Sequence, residues 1–108
     1  LANMQVVLIG ISSIDLSLHT NLGTVELQGE DLEEIIMPTT HSLTDISFGA
    51  CGLSETTVNH ILANAVANGM VGRTIVLNGG TSAAPTGQGI IDKAFLQATV
   101  PPNTVTTN

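Results

Sequence analysis

The chain has no tryptophan and no tyrosine, only two phenylalanines, a single cysteine and just two strong cations, Arg73 and Lys93. Each scarcity excludes something. Aromatics are 2% of the 108 residues while 43% are hydrophobic, so Leu, Ile, Val, Ala and Met must fill the interior. A core of many similar small aliphatics suits stacked layers better than one irregular globule. Two cations against nine carboxylates, a net charge of −7, argue firmly against nucleic-acid binding, which depends on neutralising phosphates. The same deficit disfavours an anionic membrane surface, and no apolar run reaches the ~18 residues of a membrane span. Cys51, being alone, forms neither a disulfide framework nor a cysteine metal site within the chain. Charged residues are 10% against a usual ~25%. Polarity comes instead from Thr, Ser, Asn and Gly, as is common in extracellular fibres and surface proteins.

The length fits one domain, residues 1–108, with a modest core. The first residue is Leu1 and no charged leader precedes an apolar stretch, so the chain is expected to be the later part of a longer protein.

Three segments share one spacing of apolar positions: Met4, Val7, Ile9, Ser12, Ile14; then Leu22, Val25, Leu27, Glu30, Leu32; then Leu43, Ile46, Phe48, Cys51, Leu53. Their starts lie 18 and 21 residues apart. In each, the middle pair alternates as a one-sided strand does. Val6 and Leu8 alternate as well as Val7 and Ile9, so the first segment has two registers. Glu30 falls at the position that Ser12 and Cys51 hold in the other two segments. A buried, unpaired carboxylate would be costly, so that corner is open or the register differs there.

The period then lengthens to 29 residues, and the extra residues spell a helix. In "LSETTVNHILANAVANG", Ser54 is the N-cap, Glu55 suits the first turn, and Gly69 ends the helix. Val58, Ile61, Leu62, Ala65 and Val66 make its apolar face. The same 29-residue shift maps that face onto Ile90, Ile91, Ala94 and Phe95, predicting a second helix over 86–98. Pro101-Pro102 close it, and a last short strand is expected around Val105. The expected fold is α/β: a solenoid of short parallel strands, with short repeats in 1–53, helix-containing repeats in 54–108 and a C-terminal cap.

The glycine-rich "LNGGTSAAPTGQG" (77–89) invites comparison with a phosphate loop. Such a loop needs Lys and a hydroxyl after its second glycine, whereas Gln88-Gly89 follow Gly87. The segment aligns with "GACGLSETTVN" one repeat earlier, and reads as a strand-to-helix corner.

Residues 4–53 carry the spacing L-x-x-L-x-L-x-x-N/C-x-L and resemble leucine-rich repeats. The remainder, with a helix ending in "ANG", the "LNGGTSAAPTGQG" corner, a second helix and a terminal "TVTTN", resembles a C-terminal module of leucine-rich-repeat-like proteins of bacteriophage virions. Similar modules occur in some bacterial surface proteins. The resemblance implies a structural or host-facing part of a virion appendage such as a tail fibre. The location it implies is the particle surface or, alternatively, the extracellular or bacterial cell surface as an adhesin. It implies no catalytic residues and no cofactor.

Candidate chemistry elsewhere is thin. His19 and His41 precede strands and read as solvent-facing loop residues rather than metal ligands, since their spacing fits no zinc motif. His60 lies at the solvent boundary of the first helix. The run Glu30, Asp31, Glu33, Glu34 lacks the order of a calcium loop and reads as a solvated corner. Ser54, Ser47, His60 and Asp45 supply the residue types of a triad, with no motif that fixes them together. Cys51 reads as a small core hydrophobe.

If the chain binds anything, the exposed strand face is the expected place. It holds the column Leu8, Glu26, Ser47, Val76 and Thr106, flanked by Thr24, Asp45 and Thr74 on one side and Gln28, Gly49 and Asn78 on the other. The apolar, uncapped N-terminal edge is expected to meet other virion subunits, an upstream domain or another copy of the chain. Cut at Leu1, residues 1–108 alone are expected to be marginal or aggregation-prone.

Overall fold

The computed structural model describes residues 2–108. In chain order the elements are β1 (Ala2–Val7), β2 (Ser13–Asp15), β3 (Leu22–Gln28), β4 (Glu34–Ile36), β5 (Asp45–Ser47), α1 (Glu55–Ala67), β6 (Thr74–Val76), α2 (Gln88–Gln97) and β7 (Thr104–Thr106). The fold is mixed α/β. Strands β1, β3, β5, β6 and β7 form one sheet in that order, every pair parallel. Parallel neighbours require a crossover. The crossovers supply a second layer: β2 pairs in parallel with β4, and α1 packs between β4 and α2.

The core lies between these layers. Val25, Ile46, Ile75 and Val105 occupy one register column and are all buried. Leu27, Phe48 and Leu77 are fully buried two residues further along their chains, and Leu16, Leu32, Ile35, Ile61 and Leu62 meet them from the second layer. Strand alternation puts the polar residues between them on the opposite face.

At β1 the sheet chooses between the two registers. Met4 pairs with Val25 and Val6 with Leu27, and Leu8 packs on the core. Val7 and Ile9 are exposed. The first step is therefore 21 residues, as Gln5–Glu26 and Ser13–Glu34 contacts show, rather than 18. The corner after β3 is corrected in the same way. Gly29, not Glu30, stands beside Cys51. A side chain at 29 would run into the Leu8 carbonyl, so glycine takes the crowded position and Glu30 turns to solvent.

Helix α1 has the expected caps. Ser54 Oγ accepts from the Thr57 N–H. Gly69 N–H bonds to the Val66 carbonyl and Met70 N–H to that of Ala65, a Schellman motif made possible by the positive φ of Gly69. Helix α2 is shorter than expected and turned around. Its buried residues are Gly89, Asp92 and Leu96, while Ile90, Ile91, Ala94 and Phe95, expected to face the core, are exposed. The cause is a lock between the helices. Asn59 accepts from the Thr86 N–H and donates to its hydroxyl, and Gly89, having no Cβ, admits the Asn59 side chain.

The "LNGG" segment is a stacked corner. Thr81 N–H bonds to the Cys51 carbonyl and Ala83 N–H to that of Leu53. Asn108 seals it from below, accepting from Gly79 N–H and donating to the carbonyls of Gly79 and Ser82. Asn103, buried, donates to the carbonyls of Met70 and Leu96 and accepts from Arg73 N–H.

Two glycines at similar positive φ separate backbone strain from crowding. At Gly69 an added Cβ meets nothing, whereas at Gly80 it collides with the Cys51 carbonyl. Gly69→Ala is expected to cost about 1 kcal/mol, the backbone penalty alone. Gly80→Ala should cost about 2–4 kcal/mol, with urea unfolding as the measurement. Asn103→Ala strands buried carbonyls and an N–H, and should lose about 2–4 kcal/mol by the same method.

Candidate functional site

The exposed face of the five-stranded sheet presents small polar side chains in register. Thr24, Asp45, Thr74 and Thr104 form one column, and Glu26, Ser47, Val76 and Thr106 the next. The β1 member of the second column is Gln5, not Leu8: Leu8 belongs to the core side. Gln28 and Asn78 continue the face by strand alternation, two residues beyond Glu26 and Val76. The structure thus brings all eight expected binding residues, Thr24, Glu26, Gln28, Asp45, Ser47, Thr74, Val76 and Asn78, to one side of one sheet.

Gln5 Nε2 donates to Glu26 Oε2 at 3.3 Å, while the Thr44 hydroxyl beside Asp45 donates to the Gly23 carbonyl at 3.0 Å. Lys93 donates to the Thr107 hydroxyl at 2.7 Å. With no aromatic side chain on the face, no platform exists for stacking a sugar ring. Beside the sheet, a shallow cleft of about 310 Å³ runs along Val7–Gly10, Gln28–Asp31 and Ala50.

The other candidates come apart. Ser47 and Asp45 lie on β5, while Ser54 and His60 belong to α1 and its cap. The Ser54 hydroxyl is occupied in capping and donates to Thr57 Oγ1. His19 and His60 are exposed as expected, but His41 is buried. Its Nδ1 accepts from the Leu43 N–H, so Nε2 carries the proton given to Asn64 Oδ1 at 2.7 Å. The Asn68 side chain accepts from the His41 N–H. These bonds tie the loop before β5 to α1, a contact 23–27 residues away in sequence that local patterning does not carry.

The acidic residues Glu30, Asp31, Glu33 and Glu34 are exposed, and the Ser13 hydroxyl donates to Glu34. Among the described residues no group of three or more His, Cys, Asp or Glu side chains is arranged to hold a metal ion. Among the described residues no helix is long and apolar enough to cross a membrane. Comparison of the chain with protein-family models, curated proteins and solved structures finds no match.

Cys51 is fully buried, its Sγ directed to the carbonyls of Leu27 and Gly49 at 3.6 Å. Burial pushes its thiol above the ordinary 9.0, partly offset by the Gly29 backbone. The folded state therefore holds this proton more tightly than the unfolded one. The associated stability is complete below 9.0 and is lost as pH rises through the folded value. Native protein should resist thiol reagents at neutral pH and react only on unfolding. Urea midpoints should fall between pH 8 and 10 in wild type more than in Cys51→Ala. Rapid labelling of the folded protein would contradict this account.

Proposed function

We propose that the chain is a leucine-rich-repeat-like solenoid without catalytic residues or cofactor, serving as a structural and host-facing module of a bacteriophage virion appendage such as a tail fibre. The observation that carries this reading is the in-register stacking of successive turns, column on column from Gln5 to Thr106. Steps of 21 residues give way to steps of 29 and 30 as the crossovers become helices. Such stacking exposes a continuous strand face, which repeat proteins use for binding. The resemblance of 54–108 to virion modules supports a location on the particle surface. A bacterial cell-surface or secreted adhesin is the second reading, favoured by the same low charge and richness in Thr, Ser, Asn and Gly.

An antibody against residues 54–108 separates these readings when imaged on phage particles and on bacterial cells. Label at the distal end of a tail appendage is the expected result, and label on cells alone would overturn it. Glu26→Gln with Asp45→Asn, surface changes expected to alter stability by less than about 0.5 kcal/mol, should then reduce particle adsorption about tenfold, equivalent to ~1.4 kcal/mol. Unchanged adsorption would remove the sheet face from the attachment role.

A further inference from the structure

The sequence holds two Asn-Gly pairs, Asn68-Gly69 in "ANG" and Asn78-Gly79 in "LNGG", and the fold treats them in opposite ways. Asparagine is chemically labile, most of all before glycine, which has no Cβ to crowd attack by its own nitrogen on the preceding carboxamide. At Asn68 every group that must move is tied down. Its Oδ1 accepts from the His41 N–H at 2.9 Å, and its Nδ2 donates to the Thr39 and Asn64 carbonyls at 3.1 and 2.9 Å. The Gly69 N–H, whose nitrogen would attack, is bonded to the Val66 carbonyl at the helix end. Reaction there requires the loop before β5 to leave α1.

Asn78 is held far less. It stands half-buried beyond the end of β6. The bonds at this corner run between Gly79, Ser82 and Asn108 and leave the Asn78 carboxamide out. The Gly79 N–H donates to Asn108 Oδ1 at 3.0 Å, and Asn108 Nδ2 donates back to the Gly79 carbonyl at 3.2 Å. Both Gly79 and Asn108 are exposed, so one wet side chain is all that occupies the nitrogen.

We infer that Asn78-Gly79 is a site of spontaneous deamidation, with Asn108 as the brace that sets its rate. The inference does not rest on the virion reading. The Gly79 nitrogen gives its proton to water and bonds to Asn78 Cγ. The Cγ–Nδ2 bond breaks, and the carboxamide nitrogen leaves as ammonia after taking a proton from water. One further water opens the cyclic imide at either carbonyl, leaving aspartate or isoaspartate at 78. Both products add a negative charge to a chain at −7, on the face that already carries Glu26 and Asp45. Isoaspartate also adds a methylene to the main chain, where the corner has no slack. A Cβ at Gly79 would lie 3.2 Å from the Ala50 nitrogen, and one at Gly80 would strike the Cys51 carbonyl. Aspartate therefore alters the face alone, whereas isoaspartate also loosens the stacked corner.

Trypsin separates the two sites, because Arg73 and Lys93 are the only cleavage points in the chain. Asn68 falls in peptide 1–73, and Asn78 is the sole asparagine of peptide 74–93. Folded protein kept in warm, mildly alkaline buffer should gain the amide-to-acid mass increase in 74–93 well before Asn68 shows it in 1–73. In urea the two sites should react at similar rates, since only the fold sets them apart. Asn108→Ala frees the Gly79 N–H and should speed Asn78 about fivefold, the factor that one typical hydrogen bond represents, with Asn68 unchanged. The isoaspartate form, separated by chromatography, should unfold at lower urea than Asn78→Asp protein. Three results would overturn the inference: folded protein in which Asn78 reacts no faster than Asn68, a rate at Asn78 indifferent to Asn108→Ala, or an equal rise at both sites in that variant. An isoaspartate form as stable as Asn78→Asp would overturn the loosening of the corner.

Discussion

The fold depends on successive turns keeping their main chains at sheet spacing, about 4.8 Å apart, through the strands and into the corners. Strand pairing alone would tolerate large side chains, but each inward position here also stacks on the equivalent position of the next turn. Val25, Ile46, Ile75 and Val105 share one such column. Branched aliphatics of similar volume fill it without gaps or collisions. A core assembled from such columns has little use for Trp or Tyr, and Phe48 is the one buried aromatic. The same spacing accounts for the corners. Where the main chain of one turn passes the carbonyl of another, only glycine fits: Gly29 against Leu8, and Gly80 against Cys51.

The lengthening of the turns follows from what crosses between strands. β2 and β4 are themselves paired strands, so both layers of the early turns advance by the same step. Helices cannot do this, because packed helix axes lie ~8–10 Å apart, about twice the strand spacing. From α1 onward the second layer must advance faster than the sheet. α2 lies against α1 and β7. Its contacts are settled by the Asn59–Thr86 lock and the gap left at Gly89, and its aliphatic face is left outside.

What was legible in the sequence was whatever repeats or punctuates. The strand columns, the Ser54 and Gly69 ends of α1, and the corner at Gly79-Gly80 each have a local signal and stand where that signal puts them. The failures share a different cause. A 29-residue shift carries residue types from α1 to α2, but not the widening of the layer, so Ile90 and Phe95 read as core. β2 and β4 span three residues each, too few for alternation to register. The choice between Val6 and Val7 at β1 is made by its pairing with β3, a contact 21 residues away that local alternation does not carry. His41 reads as a loop histidine because its partners, Asn64 and Asn68, are more than twenty residues away. On the candidate face, the eight paired or alternating positions from Thr24 to Asn78 follow directly from strand period. Gln5 was missed with the β1 register.

These constraints also bear on how such a molecule can hold a partner. Side-chain hot spots rely on Trp, Tyr and Arg, and the sheet face has none of them. Glu26 accepts one long amide bond, from Gln5 at 3.3 Å, and single contacts at so exposed a surface are individually weak. An extended complementary surface could still hold such a face, because many weak contacts in fixed register add up where one contact fails. The rigidity of the stacked columns keeps that register. On the proposed reading, recognition would therefore be by pattern over the sheet face rather than by one anchoring side chain.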